Sequence, residues 1–278
     1  MTSHSYATRR SQLTTYFDRT AVEAWARLTS DAPVSKIRAT VRAGRDAMRG
    51  NLLAWLPADL TGARLLDAGC GTGALSQEAA RRGAEVVAID VSPTLIGLAR
   101  ERTAQVGPGR IDFRVGDMLD AGLGRFDYVV AMDSLIHYAT PDIVQALATL
   151  ADRTDAAILF TVAPRTPLLT LMHMAGRVFP RGDRAPAIVP VGEGTLRRRI
   201  ARNAALDGFA VTRTQRVNSG FYLSNAVELK RQNPPPSAGE GGRGATGRGE
   251  ALSGSGAPLI RPAARATFSR RGEKGSAP

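Results

Sequence analysis

The stretch LLDAGCGTG, residues 65–73, decides the fold of this chain. Its first residues are apolar and predict a short buried strand, which runs into a glycine-rich turn. A helix is predicted to begin directly after the turn. Glycine adopts positive φ angles without strain and lets the backbone pass close to a ligand. The stretch therefore predicts a ligand-binding loop where a strand of an α/β sheet ends.

Strand and helix patterns alternate along the chain around this loop. Strands are predicted over residues 63–69, 85–90, 111–117, 126–133 and 156–163, and helices over residues 73–82, 94–105 and 141–153. Strands this apolar indicate a parallel sheet covered on both faces. Further helices are predicted over 166–179 and 192–208, and a closing strand pair over 209–217 and 219–231. The pattern predicts a Rossmann-like, mostly parallel, seven-stranded sheet.

The chain divides into three predicted regions. Residues 1–58 are expected to form an N-terminal helical cap. Residues 59–232 form the α/β core, with a substrate-side insert over residues 164–191. Residues 233–278 are rich in Pro, Gly, Ser and Ala and contain few large apolar side chains. Such a segment cannot bury enough apolar surface to offset its ordering entropy, so we expect this tail to be disordered.

Composition limits the classes of function. The single cysteine allows no disulfide within the chain, which fits a reducing compartment. No apolar run reaches the roughly 18 residues of a membrane span, so we expect a cytoplasmic protein. The net charge is +12, but the basic residues are spread along the chain without an aromatic-interleaved basic motif. We therefore expect no nucleic-acid partner.

Acidic residues follow three consecutive predicted strands. The loop reads D-x-G-x-G-x-G rather than the G-x-G-x-x-G of dinucleotide sites, and Asp67 would repel a pyrophosphate. It suits a cation such as the amino group of a methionine moiety. Asp90 ends the next strand, where a carboxylate can accept hydrogen bonds from a ribose diol. Asp117 can accept from an adenine amine, with Met118 packed on the ring.

This arrangement resembles the class I S-adenosylmethionine-dependent methyltransferases over residues 60 to 230. The resemblance implies S-adenosylmethionine as the methyl donor, bound by the acid row together with Gly69 and Gly71. Asp133 is expected on the donor side of the fourth strand's end. Tyr16 lies on a front segment expected to fold over the donor, with a helix face packed on the core as the other interpretation. A nicotinamide enzyme with a variant loop stays the alternative for the core.

A narrower resemblance covers residues 16 to 230. The matching stretches are YFDRT (16–20), LLDAGCGTGALS (65–76), MDSLIHY (132–138), APRTPLLTL (163–171) and FYLS (221–224). They are similar to the magnesium-protoporphyrin IX O-methyltransferases, although Thr29-Ser30 stands where that family tends to have Tyr-Gly. The resemblance implies methylation of one substrate propionate in chlorophyll or bacteriochlorophyll biosynthesis. Since no cluster in the sequence has the spacing of a protein metal site, we expect magnesium to arrive only as part of the porphyrin.

The sequence leaves open two other functions and the identity of the partners. One alternative is an O-methyltransferase for another small acceptor, such as a quinone-pathway phenol. Another is a tetrapyrrole-binding module that keeps the donor fold as a scaffold. With magnesium-protoporphyrin IX as substrate, the porphyrin-binding subunit of magnesium chelatase is a possible partner. Peripheral contact with the photosynthetic membrane is a second possibility.

His137, within MDSLIHY, is the candidate catalytic residue. A propionate is already ionised at pH 7, so it needs no general base. His137 can position the substrate through a hydrogen bond or through its magnesium, act as a base for a phenol, or merely cap a strand. Basic residues of the front helix recur imperfectly on one face; most are expected to be solvated, and one can meet a carboxylate: Lys36, Arg38, Arg42 and Arg45.

Overall fold

The computed structural model describes residues 3–20, 36–103, 107–166 and 187–232. The helices are α1 (His4–Thr15), α2 (Lys36–Trp55), α3 (Ala74–Arg81), α4 (Pro93–Arg102), α5 (Thr140–Ala151) and α6 (Glu193–Ala201). The strands are β1 (Arg64–Ala68), β2 (Glu85–Asp90), β3 (Arg110–Val115), β4 (Phe126–Ala131), β5 (Thr154–Val162), β6 (Phe209–Ser219) and β7 (Tyr222–Arg231). A π-helical turn (Tyr16–Thr20) follows α1, and 3-10 turns occur at Ala121–Leu123, Leu135–His137 and Ala204–Leu206.

The strands form one seven-stranded sheet in the order β3-β2-β1-β4-β5-β7-β6. β1 to β5 run parallel to one another, whereas β7 is antiparallel to both β5 and β6. The prediction of a mostly parallel, seven-stranded α/β sheet is confirmed. Its carboxyl edge gathers the ends of β1, β2, β3 and β4, where ligands bind in sheets of this kind.

Consecutive strand residues point into two separate cores. Leu66 and Val129 pack into the core on one face, and their neighbours Leu65 and Val130 pack into the core on the other. This follows from the period-2 alternation of a strand, applied to segments that are apolar at every position. Helices therefore cover both faces, with α5 on the first side and α2 and α3 on the second.

One predicted element ends earlier than its sequence pattern suggests. The helix predicted over 192–208 is α6, which stops at Ala201. Asn203 then begins a 3-10 turn by accepting a hydrogen bond from the backbone N–H of Ala205 (3.1 Å). Asn competes for nearby backbone groups in this way, and that favours helix caps and turns over helix interiors. The C-terminal half of the predicted helix is therefore wrong.

The N-terminal segment packs around the sheet as two described helices. α1 lies against α5, where the hydroxyls of Ser3 and Ser5 donate to Asp142 (2.5 and 2.6 Å). Tyr6 stacks on Tyr138 with ring centroids 4.8 Å apart. The helix prediction over 166–179 falls almost wholly outside the described residues, as do Thr29-Ser30 and the tail over 233–278. The division into cap, core and tail stays a prediction. None of the described helices is long and apolar enough to cross a bilayer.

Candidate active site at the carboxyl edge of the sheet

A cavity of about 590 Å³ opens at the carboxyl edge of the sheet. The loops that follow β1, β2, β3 and β4 form its floor. α1, the π-helical turn, α2 and the start of β7 supply residues to its walls. The volume lies within the roughly 300–1,000 Å³ of small-molecule sites. This cavity contains every residue that the sequence predicted for the donor site.

The glycine-rich loop is held in a shape that only glycine allows. Gly69 has φ +86° and donates its N–H to the carbonyl of Ile89 (2.8 Å). A Cβ atom at Gly69 would lie 2.5 Å from the Cβ of Ser134. Gly71 has φ +56° and donates its N–H to Asp90 Oδ2 (3.0 Å). The loop therefore joins the ends of β1, β2 and β4 and exposes its backbone to the cavity.

Asp67 and Asp90 lie almost fully buried below this loop. Ser76 Oγ donates to Asp67 Oδ2 (2.6 Å), a contact that sequence spacing did not reveal. Burial raises the pKa of Asp67 to about 7, and the nearby charge of Asp90 acts in the same direction. Burial also raises the pKa of Asp90, against the backbone N–H groups of Ser92 and Gly71 that stabilise its charged form. A cationic ligand would favour ionisation of both groups.

Asp117 is reached by the N-terminal helix. Tyr6 donates its hydroxyl to Asp117 Oδ1 (2.9 Å), and Arg10 forms an ion pair with Oδ2. The backbone N–H of Leu119 also donates to Oδ1 (3.0 Å). Met118 lines the cavity beside it and is buried. α1 therefore binds the carboxylate that the sequence predicted for adenine, and no local motif signalled that contact.

Asp133 joins three elements at the end of β4. It has φ +56°, the sole positive value among the non-glycine residues described. Arg45 Nη1 of α2 lies 3.0 Å from Oδ2, and Tyr222 of β7 donates its hydroxyl to Oδ1 (2.9 Å). Thr161 at the end of β5 completes the set with a longer contact to Oδ1 (3.3 Å). Asp133 therefore fixes the loop that leads to His137.

His137 and Tyr16 line the same cavity, and both rings lie close to Phe17. His137 ends the 3-10 turn after β4 and is buried. Its ring approaches Phe17 edge-on at 6.3 Å, and Phe17 packs against Tyr16 at 5.2 Å. Burial raises the pKa of the Tyr16 hydroxyl. The π-helical turn and MDSLIHY are thus in contact at the cavity wall.

Large apolar side chains also line the cavity. They include Val41, Ile136, Ile188, Phe221 and Leu223. Phe221, in the turn between β6 and β7, is 71% exposed, and Ile188 is 42% exposed. Large apolar side chains left open beside a cavity are typical of a surface that meets an apolar ligand or partner.

The charged lining residues are divided between the sheet edge and one helix. The described acidic lining residues are Asp46, Asp67, Asp90, Asp117 and Asp133, and the described arginines are Arg42, Arg45 and Arg49. All the aspartates except Asp46 lie at strand ends, whereas the arginines lie on α2. The described part of the chain contains no cluster of His, Cys, Asp and Glu arranged to hold a metal ion.

The residues present fit S-adenosylmethionine. The loop residues Gly69 and Gly71 line the cavity together with Asp67 and Asp90. Asp90 suits a ribose diol, and Asp67, beside the loop, suits a cationic group and would repel a pyrophosphate. The nicotinamide alternative is therefore disfavoured by the charge of Asp67.

Comparison with known proteins decides the family. Residues 131–231 match the family described as "Magnesium-protoporphyrin IX methyltransferase C-terminus", and residues 65–155 match "Methyltransferase domain". The chain is 50% identical over 226 residues to the magnesium-protoporphyrin O-methyltransferase of Rhodobacter capsulatus, covering 81% of this chain and 98% of that protein. The chain belongs to the magnesium-protoporphyrin O-methyltransferase family.

Further comparisons give the extent of the likeness to a solved structure and to a quinone-pathway enzyme. The crystal structure of magnesium protoporphyrin IX methyltransferase from Synechocystis PCC 6803 with bound SAH superposes with a TM-score of 0.69 at 30% identity. It covers 80% of this chain and 99% of that one. A ubiquinone biosynthesis O-methyltransferase of Xanthomonas euvesicatoria is 36% identical over 133 residues, only 45% of this chain and 55% of that protein. The likeness to the quinone enzyme is thus limited to less than half of the chain.

Proposed function

We propose that this chain transfers a methyl group from S-adenosylmethionine to a propionate carboxylate of magnesium-protoporphyrin IX, giving the monomethyl ester in chlorophyll or bacteriochlorophyll biosynthesis. The observation that carries the proposal is the 50% identity to the Rhodobacter capsulatus enzyme over 98% of its length. The cavity supports it, because the donor loop and several large apolar side chains line the same space. Magnesium belongs to the substrate here.

The proposed reaction depends on the placement of the two reactants rather than on proton transfer. S-adenosylmethionine, when bound, supplies an electrophilic sulfonium methyl group. A propionate oxygen is charged at neutral pH, with an ordinary pKa near 4–5. The protein therefore has to hold that oxygen in line with the methyl and exclude water. Orientation of this kind contributes roughly 7–11 kcal/mol to lowering a barrier.

The donor side is assigned to the residues around the loop. Asp67, Gly69 and Gly71 form its base, with Asp90 assigned to the ribose. Asp117 and Met118 are assigned to the adenine, with Tyr16 over the donor and Asp133 at the end of β4. All of them line the cavity, which supports the assignment. Because Asp133 is bound by Arg45 and Tyr222, its role is to hold the loop beside the donor.

His137 is assigned to the acceptor carboxylate as a positioning residue. It lies four residues beyond Asp133 in a short 3-10 turn, buried and facing the cavity. A neutral imidazole N–H donates one hydrogen bond without forming the tight ion pair that would weaken a carboxylate nucleophile. An approach to the porphyrin magnesium is the other role considered for this side chain.

A methylation assay tests the proposal. Purified protein with S-adenosylmethionine and magnesium-protoporphyrin IX should yield the monomethyl ester, detected by chromatography. Metal-free protoporphyrin IX and a quinone-pathway phenol serve as alternative acceptors. If donor binding is intact and only the phenol is methylated, the proposal is wrong. Since the carboxylate is already ionised, kcat with saturating S-adenosylmethionine should be flat above about pH 6, whereas a phenol acceptor would require a base and lose turnover at low pH.

Two contacts of this protein with other components stay predictions. One is delivery of the substrate by the porphyrin-binding subunit of magnesium chelatase, and the other is a peripheral membrane contact. The exposed side chains of Phe221 and Ile188 at the cavity wall support a contact of one of these kinds. Sedimentation with chelatase subunit or with anionic vesicles measures each contact separately.

A further inference from the structure

The π-helical turn after α1 is joined to the donor side of the sheet through Asp18. Asp18 Oδ1 accepts hydrogen bonds from the hydroxyl of Ser92 (2.8 Å) and from the backbone N–H of Thr94 (3.3 Å). Both residues lie at the start of α4, and the first backbone N–H groups of a helix have no acceptor within the helix. Asp18 therefore connects the N-terminal segment of the chain to the first turn of α4.

Ser92 continues this connection to the acid that is assigned to the donor ribose. It is fully buried, and its backbone N–H donates to Asp90 Oδ1 (3.0 Å). The other oxygen of Asp90 accepts the N–H of Gly71 from the donor loop (3.0 Å). The Ser92 hydroxyl also accepts the N–H of Leu95 and so caps α4 (3.2 Å). A continuous series of hydrogen bonds thus runs from the donor loop to Asp18.

The same turn carries two aromatic rings of the cavity wall. Tyr16 and Phe17 line the cavity and pack edge to face, with ring centroids 5.2 Å apart. Phe17 also approaches the ring of His137 edge-on, at 6.3 Å. Asp18 follows Phe17 directly in the chain, so the two hydrogen bonds to Asp18 restrict where the Phe17 ring can lie. The contact with the start of α4 therefore also restricts the ring that packs beside His137.

We propose that Asp18 is a positioning residue, which holds Tyr16 and Phe17 in the cavity wall and thereby fixes the His137 ring for the acceptor. This deepens the proposed function and rests on it, because His137 is assigned there to the acceptor carboxylate. A misplacement of about 1 Å at a reacting centre can cost about 100-fold in rate. A carboxylate that accepts two hydrogen bonds suits this task, because both donors belong to the start of one helix.

Methylation kinetics at saturating S-adenosylmethionine compare three substitutions. Asp18→Ala removes both hydrogen bonds and should lower kcat about tenfold, while the Kd of S-adenosylmethionine changes by a smaller factor. Asp18→Asn keeps a side-chain oxygen that accepts the same bonds and should retain most of the activity. The matched control is Asp142→Ala, because Asp142 also accepts two hydrogen bonds from the N-terminal segment, from Ser3 and Ser5. It should leave kcat nearly unchanged.

A double variant separates positioning from a general loss of stability. His137→Ala removes the ring that Asp18 is proposed to position, so Asp18→Ala should cost little further activity in that background. Residues that act through one group show such non-additive effects, whereas independent losses add. Full additivity would overturn the proposal, and so would an equal loss of kcat in Asp142→Ala or no loss in Asp18→Ala. An Asp18→Asn variant as slow as Asp18→Ala would also contradict it, since the effect would then be one of charge.

The last measurement does not depend on turnover. The chain has three histidines, so the imidazole resonance of His137 can be assigned in an NMR spectrum by its absence from His137→Ala. Asp18→Ala should shift that resonance, because the Phe17 ring beside it moves, and Asp142→Ala should leave it in place. An unchanged resonance in Asp18→Ala would refute the positioning role even if activity falls. If the wild-type protein makes no ester, the proposed function fails while this spectrum still judges whether Asp18 positions His137. Affinity for S-adenosylhomocysteine checks folding, and Asp18→Ser replaces the alanine variant if that affinity is lost.

Discussion

Arg45 Nη1 lies 3.0 Å from Asp133 Oδ2, and this ion pair ties the cavity-facing side of α2 to the end of β4. Asp133 is 6% exposed and Arg45 is 19% exposed, so most of the pair is shielded from water. The same carboxylate accepts the hydroxyl of Tyr222 (2.9 Å). One side chain thus connects the loop of His137, the helix that carries the cavity arginines and the antiparallel strand β7.

Asp133→Asn should lower the free energy of unfolding by about 2 kcal/mol. The amide fits the left-handed backbone but leaves Arg45 without its charged partner; fully buried pairs lose about 3–5 kcal/mol when one partner is removed. Urea denaturation measures the change. Asp46→Asn, in the exposed pair with Arg49, should change stability by less than about 0.5 kcal/mol. If the double variant Asp133→Asn/Arg45→Met gains nothing over Asp133→Asn, the unpaired charge is not the cause.

Gly44→Ala should destabilise the protein by about 1–3 kcal/mol. A Cβ there would lie 2.6 Å from the ring of Tyr222, so α2 or the tyrosine must move. The matched control is Gly50→Ala on the same helix, where no heavy atom lies within 4 Å of the added carbon. Since alanine is the better helix former, that variant should gain about 0.5–1 kcal/mol. Thermal unfolding of both variants measures the two changes in stability. Similar shifts of Tm in the two variants would contradict close packing at Gly44.

Asp67 should make stability fall as pH rises between about 4 and 7. Its folded-state pKa of about 7 is above its value in the unfolded chain, so the native state binds the additional proton in that window. The slope from one such proton is at most about 1.4 kcal/mol per pH unit. Denaturation of wild type and Asp67→Asn at several pH values measures it. The stability difference between the two proteins should change across the window, and a constant difference would contradict the raised pKa.

Donor binding should also depend on the ionisation of Asp67, but it should strengthen as pH rises. A cationic donor favours the ionised carboxylate, so affinity for S-adenosylmethionine should rise from pH 6 to 8 and binding should release a proton. Calorimetry in buffers of different ionisation enthalpy counts that proton. Asp67→Asn should bind more weakly and with less dependence on pH. Equal proton release in both proteins would assign the effect to another residue.

His137→Ala should lower kcat about 10- to 100-fold while leaving the Kd of S-adenosylmethionine unchanged, because a misplaced acceptor costs turnover rather than donor affinity. His137→Gln keeps an N–H donor and should recover part of the loss. With saturating S-adenosylmethionine, kcat of both variants should stay independent of pH above about pH 6. Unchanged kcat and KM in His137→Ala would leave only the strand-capping role.

Much of the fold was readable from local patterns. The apolar strands, the glycine turn and the helix starts are set by residues close in sequence, and the predicted strands and core helices match β1 to β7 and α3 to α5 to within a few residues. The helix predicted over 192–208 failed at Asn203, where a side-chain hydrogen bond outcompeted helical periodicity.

The site was predictable only in part. The acids and the glycines share one strand-end rule, so they could be placed together before the structure was known. Three hydrogen bonds to these acids could not be predicted, because each joins the acid to a different element of the fold. They are the bonds of Tyr6 to Asp117, Tyr222 to Asp133 and Ser76 to Asp67. The basic face of α2 was visible as a pattern in the sequence. Its position relative to β4 became clear only from the Arg45–Asp133 contact in the structure.

The separation of charge in the cavity wall has a physical consequence for the two reactants. Arg45 and Arg49 of α2 are each paired with an aspartate, whereas Asp67 and Asp90 are held at the strand ends by hydrogen bonds from Ser76 and from backbone N–H groups. When these two carboxylates are ionised, a positively charged donor is attracted to the strand ends of the cavity. A negatively charged acceptor is repelled from the same place, so an exchange of the two reactants is disfavoured.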